Sequence, residues 1–223
     1  GCPSGADLCK GDGRMSGVIG PDGASDGSGT AAPLSVLHRK AAAGQPLPDE
    51  FAMTPAKALA QAMARVGQAM KLPISIQSLA DTRMTLGELT EALEDRALLA
   101  IVEGPEEGLG LVALSPALLA ALIEVQTTGR VSRQEPPARR PTRTDAAMTA
   151  DVIDTVLREI EDALDPLHDR TWAYGFRYAS FLADPRPLSL LLEETRYRVF
   201  RATLDLGEGA RLADFLLALP ADG

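Results

Sequence analysis

The chain has 223 residues, of which 45% are hydrophobic and 24% charged, so it can bury a core as one ordinary domain with tails or as two small domains. Its 22 Lys and Arg against 31 Asp and Glu give a formal net charge of -9, which argues against a general DNA or RNA binder, because neutralising phosphates requires clustered basic side chains. No run reaches the roughly 18 apolar residues of a membrane span and no secretory signal is visible, so we expect a cytoplasmic protein without membrane insertion.

Residues 1–33 form a leader dominated by Gly, Ser, Asp and Ala. This composition predicts disorder, because it buries too little apolar surface to offset the entropy of ordering. The leader holds Cys2 and Cys9, which we interpret as exposed thiols in a reducing compartment rather than as a disulfide or a zinc site. Met15 is an alternative natural start, and a short connecting segment, 34–53, follows the leader.

Structured sequence is predicted from Thr54, a good helix N-cap, with Pro55 at the first helical position and apolar residues at helical spacing as far as Leu72. The rest of this half is predicted as a short strand at Ile74 and Ile76, a helix from the capping-box pair Thr85 and Glu88 to Leu93, a strand at 97–103, a turn at 104–108, a strand at 109–114 and a helix from Ser115 to Thr128.

A linker or loop at 129–141 contains Pro136, Pro137 and several arginines. After it, the predicted elements are a long helix capped by Thr144 and running to Leu164, a strand at 172–182, a helix at 187–194 and two strands at 195–206 and 210–219.

The order of elements in 54–114 recurs in 144–219: long helix, short strand, short helix and hairpin. Such a repeat favours one domain with two halves related by a pseudo-twofold axis over a solenoid, which needs more and shorter units. Hairpins supply antiparallel pairs, so the fold class is α/β, with a mainly antiparallel or mixed sheet and helices packed against it.

Three segments together resemble the middle domain of the flagellar motor switch protein FliM. They are Thr85-Leu86-Gly87-Glu88-Leu89-Thr90-Glu91-Ala92-Leu93 with the strand after it, the run from Leu109 to Ile123, and Thr142-Arg143-Thr144-Asp145. The resemblance covers about residues 50–220 and implies a three-layer α/β/α domain of the CheC type, spanning 54–220 with halves 54–128 and 142–220. It implies no cofactor and no metal.

The FliM family usually carries a Gly-Gly-x-Gly loop that contributes to contact with the switch protein FliG. Here Thr127, Thr128, Gly129 and Arg130 stand at that place, and with Arg133 they are the candidate partner-binding residues. The family's N-terminal motif for the response regulator CheY has no match in residues 1–50, and its FliN-like C-terminal domain does not follow before Gly223. The chain is therefore interpreted as a fragment or as a shortened relative.

Enzymatic interpretations find little support. A CheC-type phosphatase, the main catalytic alternative, needs a Glu and an Asn three residues apart on a long helix, and this sequence contains no asparagine. Glu159 and Asp162 have a similar spacing, but a solvated polar face is the favoured interpretation. His168 lies between Asp165 and Asp169, where a surface loop is favoured over a metal site.

Two further patterns can each be interpreted either as a functional surface or as an ordinary structural feature. Five arginines, Arg130, Arg133, Arg139, Arg140 and Arg143, either dock an acidic partner or belong to a solvated, proline-stiffened loop, which is slightly favoured. Trp172, Tyr174, Phe176 and Tyr178 line one face of a predicted strand, as a contact surface or, more commonly, as a core face.

The resemblance implies a non-enzymatic component of the flagellar C-ring at the cytoplasmic face of the basal body. Its implied partners are FliG-type and FliN-type proteins, neighbouring copies of the chain and a CheY-like regulator, contacted through 127–133 and the helix faces at 115–128 and 144–164. The alternatives are the phosphatase and an adaptor of a related type III secretion apparatus.

Overall fold

The computed structural model describes residues 53–134, 136–164 and 172–221. The predicted leader, the connecting segment up to residue 52, both cysteines and the loop around His168 lie outside these ranges.

The first half begins with helix α1, Pro55–Met70, and the sequence predicted its start correctly. The Thr54 hydroxyl accepts a hydrogen bond from the Lys57 N–H at 3.2 Å, which satisfies one of the free donors of the first turn. Strand β1, Ile74–Thr85, is much longer than the predicted short strand. Its second part is exposed on both faces and therefore lacks the alternation of apolar and polar residues that signals a strand.

The predicted capping box is confirmed at Thr85 and Glu88: the Glu88 N–H donates to the Thr85 hydroxyl, and the Thr85 N–H donates to the Glu88 carboxylate. The remaining elements of this half are helix α2 (Leu86–Glu91), strands β2 (Leu98–Glu103) and β3 (Leu109–Leu114) around a 3-10 turn (Pro105–Glu107), and helix α3 (Pro116–Thr128).

The second half begins with helix α4, Arg143–Leu164. Its first turn is capped by Thr142 rather than by the predicted Thr144: the Thr142 hydroxyl accepts from the Asp145 N–H, and Asp145 accepts from the Thr142 N–H. The later elements are strand β4 (Arg177–Leu182), helix α5 (Leu188–Leu191), strand β5 (Arg196–Leu206) and strand β6 (Arg211–Pro220). Helix α5 is half the predicted length.

The prediction of one aromatic face on a strand at 172–182 is wrong. Gly175 has a φ of 74°, which no regular strand adopts, so pairing begins only at Arg177. Trp172 and Phe176 are buried before the strand, and Tyr174 is 47% exposed. Phe176 packs under the hairpin turn, where a Cβ atom on Gly104 would lie 2.6 Å from its ring. The burial of these aromatic rings is therefore determined by tertiary packing and not by the two-residue period of a strand.

The six strands form one antiparallel sheet in the order β1-β5-β6-β3-β2-β4. Exchanging the two halves converts β1 into β4, β2 into β5 and β3 into β6, and returns the same order reversed. The pseudo-twofold axis therefore passes between β3 and β6, the central pair. The first strand of each half pairs with the hairpin of the other half, so the halves are interleaved.

Helices cover both faces of the sheet, and this confirms the predicted three-layer arrangement. The long helices α1, α3 and α4 bury the larger core on one face. The short helices α2 and α5 bury a smaller cluster on the other face, with Leu89, Leu188 and Tyr197 among its least exposed residues. Between α3 and α4, residues 136–139 lie beside α3 on the long-helix side, and residues 129–134 include three of the five predicted site residues.

Candidate interaction site

The candidate residues from 127 to 133 lie at the end of α3 and at the start of the described residues 129–134 and 136–142, which we call the strap. Gly129 ends the helix with a φ of 78°, a left-handed conformation that suits glycine at this position. The Thr127 and Thr128 hydroxyls donate to helix carbonyls, those of Ile123 and Glu124, each at 2.8 Å. Both threonines are exposed, and their hydroxyls bond back to carbonyls of the preceding helical turn.

One buried arginine fastens the beginning of the strap. The Arg211 side chain, on β6, is 3% exposed, and its Nη2 donates to the Ser132 carbonyl at 2.8 Å and to the Gln134 carbonyl at 3.1 Å. The same Nη2 lies 3.1 Å from Glu124 Oε1 on α3. Glu124 also accepts from the Ser132 N–H at 2.8 Å. A charge-assisted network thus joins sheet, helix and strap.

Two further contacts fasten the end of the strap. Arg96 Nη1 donates to the Ala138 carbonyl at 2.7 Å. The Arg139 guanidinium donates both Nη1 and Nη2 to the Asp145 carboxylate, each at 2.6 Å. Asp145 is buried, and its hydrogen bonds with Arg139, followed by those with Thr142, lower its pKa to about 2. A bidentate pair of this kind fixes direction as well as distance.

Most described strap residues are exposed, as expected of the solvated, proline-stiffened loop that the sequence slightly favoured, and hydrogen bonds hold both ends of the strap against the fold. Between its fastened ends, Pro136 and Pro137 lie beside α3 and enclose a cleft of about 190 Å³ with Leu119 and Ile123. Proline has no N–H to leave unsatisfied on this apolar surface.

The five arginines of this region separate into two groups. Arg139 is exposed as well, but its guanidinium is paired with the buried Asp145 carboxylate. The other four, Arg130, Arg133, Arg140 and Arg143, are exposed. A positively charged surface on an ordered segment results, in a chain with an overall negative charge.

The candidate catalytic pair on α4 has a structural role instead. Glu159 accepts a hydrogen bond from Arg65 at 2.6 Å and so links α4 to α1, while Asp162 is exposed. Neighbouring Glu161 pairs with Arg177 at 3.0 Å. Among the described residues, no three His, Cys, Asp or Glu side chains gather in a group able to hold a metal ion.

Within the described ranges, no helix is both long enough and apolar enough to cross a membrane.

Sequence reasoning found the position of the strap but missed the two residues that fasten it. Glu124 and Arg211 are 87 positions apart in sequence. The available signal was weak: Glu124 is the one charged residue of a mainly apolar helix, and Arg211 begins a strand that is mostly apolar.

No protein-family model matches this sequence, and no curated protein matches it. Solved structures do match the fold. The FliM middle domain from Vibrio alginolyticus superposes with a TM-score of 0.54 at 17% identity, covering 74% of this chain and 90% of that one. FliM in the FliG–FliM complex from H. pylori gives 0.60 at 12% identity, covering 74% and 90%. FliY from Thermotoga maritima gives 0.53 at 16% identity, covering 74% and 85%.

These structures confirm the predicted fold. The chain has the three-layer, CheC-like architecture of the FliM middle domain, with two halves and an antiparallel sheet. At identities below one fifth, the likeness shows a shared fold and nothing further.

Proposed function

We propose that this chain is a structural component of the bacterial flagellar motor switch, which acts in rotor assembly, torque transmission and switching of rotation at the cytoplasmic face of the basal body. The fold likeness to FliM and FliY supports this assignment. The observation that carries it is the strap, an ordered arginine-bearing surface at the place where the family resemblance puts the loop that contacts FliG.

The strap is suited to binding a folded acidic partner. Its fastened ends hold the backbone before any partner arrives, so less conformational entropy is lost on binding than with a free loop. The exposed guanidinium groups of Arg130 and Arg133 then supply charge complementarity and steer the encounter. The partner proposed for this surface is a FliG-type protein, as in the FliG–FliM complex from H. pylori.

Other contacts follow from the same assignment. The exposed sides of α3 and α4 are proposed to meet neighbouring copies of the chain and a FliN-type protein. A CheY-like regulator remains a proposed partner without an identified motif. The mechanism proposed is surface contact rather than catalysis, since the sequence has no asparagine to accompany a Glu as the phosphatase requires, and Glu159 is paired with Arg65.

The test is a binding measurement between the purified chain and the FliG-type protein of the same organism. Reversing the charges of Arg130 and Arg133 to Glu should weaken binding at least about tenfold and make the remaining binding less sensitive to salt, because both contacts are electrostatic. Arg139 stays unchanged, since its loss would release the strap.

A matched control reverses Lys71 and Arg196, two exposed basic residues outside the strap. The control should bind as the wild type does. Equal binding by the strap variant and the wild type would reject the strap as the contact surface, and no binding by the wild type would reject the FliG-type partner.

A further inference from the structure

Strand β1 leaves one edge of the sheet open. It pairs with β5 along its length, and among the described residues no strand pairs with its other side. It is 12 residues long, contains neither proline nor glycine, and lies at an end of the strand order. Such an edge presents unpaired N–H and C=O groups to another chain.

The second part of β1 is accessible on both faces. Residues Ala80, Asp81, Thr82 and Arg83 are all exposed, so no helix obstructs an incoming strand there. A register shift between Ile76 and Ser78 interrupts the pairing with β5 and confines regular geometry to the later residues. Because neither face is buried at 80–83, apolar packing does not set the register of a new partner strand, and charge becomes decisive.

Arg83 lacks a counter-charge within its own copy. It stands directly opposite Arg198 on β5, and like charges facing each other across a ladder are destabilising. Arg198 meanwhile donates to Asp81, at 2.7 and 3.1 Å, and stacks 4.7 Å from the Trp172 ring. Within the described residues, no hydrogen bond or ion pair holds Arg83. The strand edge therefore carries one positive charge that an incoming carboxylate would neutralise.

We propose that β1 pairs with β1 of a second copy of this chain, antiparallel, around a twofold axis at Thr82. Because this twofold axis is normal to the sheet, the same sheet face of both copies lies on the same side of the joined sheet. In this register Asp81 lies opposite Arg83 of the second copy, and Arg83 lies opposite Asp81 of the second copy. Thr82 faces its own equivalent, and Ala80 faces Met84 of the second copy. The two sheets join into one.

Each neighbouring register either places like charges opposite each other or leaves Asp81 and Arg83 without an oppositely charged residue in the second copy. An axis at Asp81 sets the two aspartates against each other, and an axis at Arg83 does the same for the arginines. An axis at Ala80 pairs Asp81 with Leu79 and brings the irregular Gln77 into the ladder. The Thr82 register alone among these places the unpaired Arg83 of each copy opposite a carboxylate, that of Asp81, which Arg198 of its own copy also contacts.

The pairing goes beyond the proposed function and does not depend on it. A twofold contact of this kind closes on itself, so it forms pairs rather than a ring. The strand interface is smaller than the roughly 1,200–2,000 Å² of a standard stable complex, and we expect a dimer that dissociates on dilution.

The first experiment measures the mass of the full chain by sedimentation over a dilution series. The wild type should pass from dimer to monomer. R83E and D81K should each weaken the dimer at least about tenfold, because two facing pairs become like-charged. An equal mixture of R83E and D81K should restore it, since each copy then opposes opposite charges. A monomeric wild type at all concentrations, or no restoration in the mixture, would overturn the proposal.

D81K removes the partner of Arg198 and can affect folding, so a second experiment avoids that change. In a background with Cys2 and Cys9 replaced by Ser, T82C should form a disulfide-linked dimer under mild oxidation, because residue 82 faces itself. The matched control A80C, also exposed on β1, should remain monomeric because its counterpart lies four residues away along the strand. Equal cross-linking of both variants, or of neither, would contradict the register.

Discussion

At the scale of single residues, Asp145 joins the strap to α4. Its carboxylate accepts two hydrogen bonds from Arg139 and two from Thr142, one from the backbone N–H and one from the hydroxyl. It thus caps the helix and holds the strap at once. The side chain is 5% exposed, so protonating it removes charge-assisted bonds from a largely dry position.

This arrangement predicts a pH dependence of stability. The pKa of Asp145 falls from its ordinary 3.8 to about 2 in the folded chain, so the pairing with Arg139 stabilises the fold above about pH 4, and this contribution is lost as the pH falls through about 2. D145N should lower the free energy of unfolding by about 2 kcal/mol at pH 6. Urea titrations at several pH values measure the gap between the two proteins, which should narrow as the pH falls below about 4 and close only below pH 2.

Asp151 provides the matched control, because it is exposed on the same helix. D151N should differ little from the wild type at any pH. A gap between D145N and the wild type that persists unchanged down to pH 2 would contradict the role given to Asp145.

At the scale of elements, the position of the strap depends on Arg211, a residue of β6 outside the strap. Replacing Arg211 with Met removes the donor that serves the Ser132 and Gln134 carbonyls and the counter-charge of Glu124. We expect a loss of about 2 kcal/mol in the free energy of unfolding, because several charge-assisted hydrogen bonds at a partly buried position are lost together. Hydrogen exchange should show lost protection at the Ser132 amide, which donates to Glu124.

The helix α1 amides serve as the internal reference for that experiment. They should keep their order of protection, because the hydrogen bonds of Arg211 run to α3 and the strap and not to α1. Equal loss of protection across α1 and the strap would indicate general destabilisation and would contradict a local fastening role.

The elements that the sequence predicted well are those with local causes. The caps at Thr54, Thr85 and Ser115 follow from one side chain bonding one nearby N–H. The start of α4 was misplaced because Thr142 and Thr144 both fit the pattern, and only the position of Asp145 decides between them. The contact of Arg211 with the strap and the burial of Trp172 depend on distant chain segments, which periodicity does not register.

At the scale of the whole molecule, the two halves stabilise each other through exchanged strands. Among the strands that the structure describes, β1 pairs with β5 of the other half and with no further strand, and β4 pairs likewise with β2 alone. The repeated order of elements was readable from the sequence, because it lies in the succession of hydrophobic patterns. The interleaving of the halves could not be read from the sequence, because strand pairing between distant segments produces no local sequence pattern. The division of the domain into the halves 54–128 and 142–220 stays a prediction.

Interleaving predicts that neither half folds alone. The piece 54–128 would expose β1 without its partner strand and one side of β3, so it should show no cooperative unfolding transition. Refolding it together with 142–220 should restore the circular dichroism spectrum of the whole domain. A sharp thermal transition in either isolated piece would contradict the interleaved architecture.

The central claim, a structural role in the motor switch, is tested most directly by motility. The gene is deleted, and swimming is recorded for the deletion strain and for strains restored with the wild type or with R130E/R133E. The account predicts that deletion abolishes swimming and that the wild type restores it. The strap variant should fail to restore swimming while accumulating to the same level. A deletion strain that swims like its parent would contradict the account and favour an adaptor outside the flagellar motor.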